Sequence, residues 1–541
     1  MGDWTGGYVT DVEYLPGFYA GQAPAMMDLA CIMGGYEPAM RPGRNAEFTY
    51  CDIGCGQGDT VAALAAANPA GRFWGIDLMP SHIARAEDFR RAAELDNLTL
   101  IEADVAVLAA TADPGLPQFD YIAMHGLFSW VSEEVRAGVV RFLDRFLRPG
   151  GVVYLGYNVL PGWADVIPTQ KVLYEFAATR LGSSTDRVGL AIEFLGKMIG
   201  AGAKGLDSGM RERLFDDTEI PQLVARQRRY FAHEFLNSNW APRFHIDVAR
   251  ELAPARLEFA GAAGLLENFA GIGLTEEAET LLQTVPPGPL RETVEDYFLN
   301  RRFRRDIFVR GRRAISAETR EAMLADAALV LRKPRPDPDR RQWPMLNQEF
   351  SLNRDTYDPV FDRLEKGPAR VGELSDLVRS AGRSVTGNEL VGLLSGLELT
   401  LPVLQDVTGA GLAGCLRHNR TVLAAAFRSN KESSYSLALP VGHTALGFDG
   451  VRTMMIEALL DGVPAEVGPL CAHFLQRSGL DPDTELALTE STVTAMGLKE
   501  APEDGSFRRM GDQLHAMVSR ALVQDVPIWR QLALLPPPGS V

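Results

Sequence analysis

Short apolar runs alternate with amphipathic segments over the first third of the chain. The apolar runs typical of buried strands are Phe48–Ile53, Arg72–Leu78, Leu98–Glu102, Phe119–Met124 and Gly151–Tyr157. The segments with helical spacing between them are Asp59–Ala67, Pro80–Glu94 and Ser132–Leu147. Strands that are separated by helices pair in parallel through right-handed crossovers. The pattern therefore predicts an α/β fold with a doubly wound, Rossmann-like sheet, whose ligand site lies at the carboxyl ends of the strands.

The pattern becomes mainly helical from residue 168 to residue 229, and we interpret this part as an insertion. Beyond it, Phe244–Ala253 reads as an amphipathic helix, while Arg256–Ala260 and Arg305–Arg310 read as strands. Two further strands would complete a seven-stranded sheet. We therefore expect the domain built on this sheet to close near Arg313.

The chain divides into six predicted segments. They are an aromatic leader (1–45), a cofactor-binding domain (46–167), a helical insertion serving as lid or dimer contact (168–229), a segment that completes the sheet (230–315), a Pro- and charge-rich linker (333–345) and a C-terminal domain (346–541). The last domain is predicted to be mainly helical. Three short helices and a strand permit a winged-helix-like module there (Asp358–Lys366, Arg370–Ala381, Gly387–Leu397 and Leu399–Gln405).

Composition and charge narrow the possible partners. The 541 residues include 54 basic and 70 acidic side chains, a net charge of −16, which repels phosphate backbones and argues against a nucleic-acid partner. We therefore interpret the C-terminal domain as a protein-contact module. Five cysteines without zinc-ligand spacing are expected to be reduced thiols of a cytoplasmic protein, and no metal site is predicted. No apolar stretch is long enough to predict stable membrane insertion.

A glycine-rich segment, Asp52-Ile-Gly-Cys-Gly-Gln-Gly58, joins the first strand to the first helix. Glycines in such a loop let the chain turn sharply and bring the backbone close to a ligand, where a Cβ atom would clash. The spacing alone is equally compatible with a nicotinamide-dependent oxidoreductase.

Three further features favour another cofactor. Asp77 ends the second strand, where a carboxylate can bind a ribose diol, and Asp104 follows the third, where it can accept from an adenine amino group. The Pro149-Gly-Gly151 turn precedes the fifth strand. This ordered set resembles the class I methyltransferases, which implies S-adenosylmethionine as the cofactor. The resemblance assigns cofactor binding to Asp52, Gly54, Cys55, Gly56, Gly58, Asp77, Leu78, Asp104, Val105 and His125.

A narrower resemblance covers most of the chain. Its motifs are His125–Val131, Tyr157–Trp163, His233–Asn237, Phe303–Gly311 and the leader segment Tyr14–Tyr19. They are similar to bacterial methyltransferases that carry a methyltransferase regulatory domain. Characterised members methylate lysine side chains of outer-membrane proteins, so the resemblance implies a protein substrate. It also implies that the leader folds over the cofactor.

A lysine acceptor determines which residue types the catalytic site would need. Only the neutral amine has a lone pair, and an apolar channel with tyrosine oxygens would favour that form. The predicted catalytic residues are Tyr157, at the end of the fifth strand and directed at the methyl group, with His125, Tyr14 and Trp130. Tyr19 and Trp163 are further candidates to line the channel. Glu234 is expected on a loop near the site. A helix-capping or ion-pairing role is favoured for it over a catalytic role.

Two other functions stay open at this point. A small-molecule N- or O-methyltransferase would use the insertion as a lid over a closed pocket. A non-catalytic scaffold would keep the cofactor fold without turnover. The insertion is also a candidate homodimer contact, and the basic stretch Arg301–Arg313 is expected to form internal salt bridges.

Overall fold

The computed structural model describes residues 9–13, 17–43, 47–206, 221–345, 348–426, 435–485, 496 and 509–536. Seven strands form one sheet in the order β3-β2-β1-β4-β5-β7-β6. Their bounds are β1 Phe48–Ile53, β2 Gly71–Asp77, β3 Leu98–Glu102, β4 Phe119–His125, β5 Leu147–Asn158, β6 Leu257–Ala262 and β7 Phe303–Arg310. Strands β1 to β5 pair in parallel, while β7 is antiparallel to both β5 and β6. The predicted Rossmann-like sheet of seven strands is confirmed.

Helices cover both faces of the sheet. The first five are α1 Pro24–Met33, α2 Asp59–Ala67, α3 Pro80–Ala92, α4 Val105–Ala110 and α5 Glu133–Phe146. On one face, α1 and α2 pack against Tyr121 and Tyr154, and on the other, α5 packs against Val153 and Leu155. The central parts of β4 and β5 are buried on both faces, so Tyr121–Met124 and Val152–Leu155 carry apolar or aromatic side chains without alternation.

The insertion contains three helices in the described ranges, α6 Ile167–Ala178, α7 Ser184–Gly200 and α8 Pro221–Phe235. They share a core with Trp163 and Trp240. Helix α8 runs through the boundary expected at residues 229 and 230, so the insertion and the following segment are joined by one continuous helix. Asp11 of the leader accepts hydrogen bonds from the backbone and hydroxyl of Ser184, both at 2.7 Å.

Helix α9 His245–Leu252 precedes β6, and helices α10 Glu276–Gln283 and α11 Pro289–Leu299 lie between β6 and β7. Beneath them lies a buried ionic cluster. The Arg304 guanidinium donates to Asp296 at 2.7 Å and to Asp306 at 2.9 Å, and all three side chains are almost wholly buried. The expectation that the basic stretch after Arg301 forms internal salt bridges agrees with these contacts.

The C-terminal region begins earlier than the sequence indicated. Its helices are α12 Ala317–Asp326, α13 Arg354–Leu364, α14 Val371–Ser380, α15 Gly387–Gly396, α16 Gly409–Ala426, α17 Gly450–Leu460, α18 Val467–Ser478, α19 Met510–Gln524 and α20 Val526–Gln531. Its strands are β8 Ala328–Leu331, β9 Gln342–Met345, β10 Gln348–Ser351, β11 Ala369–Arg370, β12 Thr400–Val403, β13 Tyr435–Leu439 and β14 Thr444–Phe448.

Strand β8 corrects the predicted boundary. It precedes the Pro-rich segment at 333–345 but pairs with β11 and β12, which follow that segment. The Pro-rich segment is therefore a connection inside the C-terminal region, and part of it forms β9. The three predicted helices are present as α13, α14 and α15, and β8 fills the middle position of the three-stranded sheet beside them.

The C-terminal region packs directly on the catalytic domain. Helix α16 lies on α2 so closely that a Cβ atom on Gly414 would come within 2.7 Å of the Ala66 carbonyl oxygen. Asn68, at the end of α2, donates to the carbonyl of His443 at 3.1 Å. Because α2 begins at the glycine-rich loop, the C-terminal region supports the helix on which that loop is built.

Candidate functional site

A cavity of about 230 Å³ opens at the carboxyl ends of β1, β2 and β4. The glycine-rich loop forms its floor, and the leader closes one side of it through Gly17, Tyr19 and Gln22. Such a position, outside the strand ends of a doubly wound sheet, is where ligands bind in this class of fold.

The glycines of this loop are required for different physical reasons. Gly54, Gly56 and Gly58 all have positive φ, of 74°, 55° and 81°. A Cβ atom on Gly58 would come within 2.9 Å of Ala86 on α3, so this glycine permits close helix packing. A Cβ atom on Gly56 would meet no protein atom within 4 Å, so the space in front of Gly56 is open for a ligand.

Asp77 is held in place by the loop opposite it. Its Oδ2 accepts from the Gly56 backbone at 2.8 Å, and its Oδ1 accepts from the Met79 backbone at 2.9 Å. The Nδ1 atom of His82 lies 3.3 Å from Oδ1. A carboxylate oxygen can accept more than one hydrogen bond, so these contacts fix Asp77 and leave it capacity for a ligand.

The other two predicted aspartates, Asp52 and Asp104, differ in their surroundings. Asp52 is buried, and burial together with the nearby Asp77 raises its pKa to about 7. Asp104 caps α4, because its Oδ1 accepts from the Ala106 backbone at 2.7 Å. Asp104 therefore has a capping role, and it lines the cavity as well.

The structure brings nine of the ten predicted cofactor-binding residues to this cavity. They are Asp52, Gly54, Cys55, Gly56, Asp77, Leu78, Asp104, Val105 and His125. The tenth, Gly58, does not line the cavity and instead packs on α3.

His125 and Tyr19 form one wall of the cavity. Their rings stack with centroids 3.6 Å apart, and the His125 Nδ1 atom lies 2.8 Å from the Tyr154 hydroxyl. Burial, with a smaller contribution from Arg305, lowers the pKa of His125 to about 3. A neutral His125 positions its neighbours well but is a weak proton acceptor. Trp130 also lines the cavity.

Tyr157 does not point where the sequence interpretation placed it. Its side chain is fully buried with the residues that face α5 and α9, and its hydroxyl donates to Asp306 at 2.7 Å. Tyr157 does not line the described cavity. The expectation of a tyrosine directed at the methyl group is thus corrected, because this strand position faces the other side of the sheet. Tyr14 lies outside the described residues.

Several cavity residues were missed. Thr60 accepts from the Tyr19 backbone at 3.2 Å and donates to the Gly17 carbonyl at 3.2 Å, which ties the leader to α2. His82 could have been predicted, since it lies in the first turn of α3, the helix that follows Asp77. Asn239 carries no local signal, because it reaches the cavity from beyond the insertion.

Glu234 is a helical residue rather than a loop residue, and it forms no ion pair with the residues that the structure describes. It lies on the last turn of α8 and is 5% exposed. Its Oε1 accepts from Asn158 Nδ2 at 2.7 Å and from Trp240 Nε1 at 2.8 Å. Burial outweighs these two hydrogen bonds and raises the pKa of Glu234 to about 7.

The cavity is acidic. The described residues that line it include Asp52, Asp59, Asp77 and Asp104 but no lysine or arginine. Neither here nor elsewhere in the described ranges is a group of three or more His, Cys, Asp or Glu side chains arranged to hold a metal ion. No helix within those ranges combines the length and hydropathy needed to cross a bilayer.

Two protein families match the sequence. A methyltransferase domain matches residues 51–153, and a predicted methyltransferase regulatory domain matches residues 227–310. The Synechocystis protein sll1526 is 30% identical over 465 residues, covering 84% of this chain and 87% of that protein. Rickettsia prowazekii RP028 is 28% identical over 195 residues, covering 36% of this chain and 75% of that protein.

A solved structure matches almost the whole fold. PKMT2 from Rickettsia typhi, in complex with AdoHcy, superposes with a TM-score of 0.63 at 16% identity. The match covers 96% of this chain and 99% of that one. The sheet, the insertion and the C-terminal region are thus shared as one arrangement.

Proposed function

The chain belongs to the S-adenosylmethionine-dependent methyltransferases that carry a methyltransferase regulatory domain, and we propose that it methylates lysine side chains of a protein substrate. The observation that carries this proposal is the acidic character of the cavity, whose described lining residues include four aspartates and no lysine or arginine. An anionic acceptor would be repelled there, whereas an amine is attracted. The fold is shared with PKMT2 from Rickettsia typhi, whose solved structure holds AdoHcy, so the match supports the fold and the type of cofactor.

The residues present fit S-adenosylmethionine. The open space in front of Gly56 would receive the ligand close to the backbone, and the acidic cavity suits a positively charged sulfonium. We assign Asp77 to the ribose and Asp104 to the adenine, since both carboxylates lie at strand ends around that space. When bound, the cofactor supplies an electrophilic methyl group.

The protein's own residues must exclude water and hold the acceptor in line. Tyr19, stacked on neutral His125, and Trp130 would form an aromatic entrance for the lysine side chain. Deprotonating a lysine of reference pKa near 10.4 at pH 7 costs about 4–5 kcal/mol. An aromatic surrounding lowers that cost because it disfavours the ammonium form.

The acidic surface and the cysteines bear on the setting of the reaction. A net charge of −16 suits a basic protein segment better than a nucleic acid. All five cysteines are free thiols, which supports a cytoplasmic location.

Leu181 and Leu190 in the insertion are 96% and 43% exposed, and we propose a homodimer contact there. Light scattering on Leu181→Glu should then report monomer where the wild type is dimer.

The test is labelling of a fractionated cell lysate with methyl-labelled S-adenosylmethionine. We expect label in protein, released as methylated lysine after hydrolysis, and no label with Asp77→Ala as the matched control. Label only in small molecules would favour an enclosed-pocket methyltransferase instead. Tight cofactor binding without any labelled product would favour a non-catalytic scaffold.

A further inference from the structure

Glu234 is a buried carboxyl group without a cationic partner. No lysine or arginine of the described chain forms an ion pair with it, and both of its hydrogen bonds come from neutral donors. Buried carboxylates are normally paired or hydrogen-bonded on both oxygens, because an isolated charge is costly to bury. A carboxyl group with this setting calls for an explanation beyond helix packing.

Glu234 does not itself line the described cavity, but both of its hydrogen-bond donors are linked to segments that do. Trp240, which donates to it, follows Asn239 of the cavity wall. Asn158, the other donor, is tied through its backbone to the Ser129 hydroxyl at 2.9 Å, and Ser129 precedes Trp130 of the same wall. Two cavity-lining segments thus converge on one carboxyl group.

Both hydrogen bonds fall on the same oxygen. Oε1 accepts from Asn158 and Trp240, whereas Oε2 makes no hydrogen bond with any described residue. The ring of Trp240, which donates to Oε1, packs edge to face against Trp163, with centroids 5.6 Å apart. A carboxylate oxygen without a hydrogen-bond donor can accept a charge-assisted hydrogen bond from an ammonium group.

We propose that Glu234 is a catalytic residue that receives the acceptor lysine, its free Oε2 binding the Nζ atom and taking a proton from it. The Nζ–H bond breaks, its electron pair stays on nitrogen as the lone pair that the reaction requires, and the proton forms an O–H bond on Oε2. Burial of both groups favours the neutral amine and carboxylic acid over the charged pair. This role rests on the proposed lysine acceptor.

The substitution Glu234→Gln isolates the charge. A glutamine keeps an oxygen that can accept from Asn158 and Trp240, so the local packing is preserved. Glu277→Gln removes the same charge from an exposed site on α10 and serves as the matched control. The three proteins are compared on a lysine–alanine copolymer, with an arginine–alanine copolymer as the negative substrate.

We expect Glu234→Gln to lower kcat/KM on the lysine copolymer by at least about a hundredfold, the usual range for a proton-transfer residue. Its affinity for S-adenosylhomocysteine, measured by calorimetry, should stay within about twofold of the wild type. Binding of the lysine copolymer to the S-adenosylhomocysteine-loaded protein, followed by tryptophan fluorescence, should weaken as well. Glu277→Gln should match the wild type in all three.

Two results would overturn the role. One is unchanged kcat/KM in Glu234→Gln, and the other is an equal loss of cofactor affinity, which would make Glu234 a structural residue. The proposed function fails separately, through a wild type that labels neither lysine copolymer nor protein lysine, and Glu234 would then lose its role too. Methylation by the wild type together with a fully active Glu234→Gln would refute only the role of Glu234.

Discussion

Gly56→Ala is the substitution that separates the cofactor site from the fold most cleanly. The Cβ atom it adds would meet no protein atom within 4 Å, so packing within the protein is unaffected. The Gly56 N–H can still donate to Asp77 after the change. The only internal cost is the positive φ of 55°, which an alanine adopts less readily than a glycine.

The magnitudes follow from these two effects. A left-handed conformation costs a non-glycine residue about 1–2 kcal/mol, which appears as a small loss of stability. A methyl group forced into an occupied, well-packed site costs about 1–3 kcal/mol. The second cost falls on the bound state alone, so cofactor affinity should drop by about fivefold to 150-fold.

Gly150→Ala is the matched control. Gly150 also has a positive φ, of 79°, and an open Cβ position, but it lies in the turn before the parallel part of β5 and does not line the cavity. Melting temperature and calorimetric binding of S-adenosylhomocysteine are measured for both variants. We expect similar losses of melting temperature and a loss of affinity in Gly56→Ala alone. Equal affinity in the two variants would refute the assignment of Gly56 as the cofactor cradle.

Three further predictions follow from the buried groups and from the packing of the C-terminal region. Tyr157→Phe removes only the hydroxyl that donates to Asp306, so it should lower stability by about 1–2 kcal/mol while turnover stays unchanged; a tenfold loss of kcat would return Tyr157 to the mechanism. Gly414→Ala should lower the melting temperature, although alanine favours helices, because its Cβ atom would lie 2.7 Å from the Ala66 carbonyl oxygen; a rise would show that α16 is free to shift. The folded pKa of Glu234, about 7, exceeds its ordinary value of 4.5, so its stabilising contribution is complete below pH 4.5 and is lost as the pH rises to 7. Glutamine does not titrate, so between pH 4.5 and pH 7 the free energy of unfolding of Glu234→Gln should rise relative to that of the wild type, by up to about 3 kcal/mol. The difference in melting temperature should change in the same direction, and a difference that stays constant with pH would contradict the raised pKa.

The sheet could be predicted from the sequence because its strands are short apolar runs bounded by loops. The first five strands were found within a few residues of their observed bounds, and the last two were located across the insertion. The glycine loop and the aspartates at the strand ends were predictable for the same reason, since the carboxyl ends of parallel strands meet at one edge.

The face of the sheet on which the Tyr157 side chain lies could not be predicted from the sequence. Strand β5 is buried on both faces from Gly151 onward, so no alternation of polar and apolar residues shows which side chains face α1 and which face α5. The parity of the strand is set by its pairing with β4 and β7, which the local sequence does not contain.

Long-range contacts account for the other differences. The Pro-rich composition at 333–345 is typical of a linker, yet β8 before it is the central strand of a sheet formed after it. Glu234 gains its setting from Asn158, 76 residues earlier, and from Trp240. Neither contact has a local signal in the sequence.

The central claim is methyl transfer to lysine by an acidic, aromatic site. It is tested most directly by mass spectrometry of proteins from a lysate incubated with the wild-type protein and methyl-labelled S-adenosylmethionine. We expect labelled methyl groups on lysine Nζ atoms with the wild type, and none with Asp77→Ala. Label confined to small molecules, or to protein residues other than lysine, would contradict it.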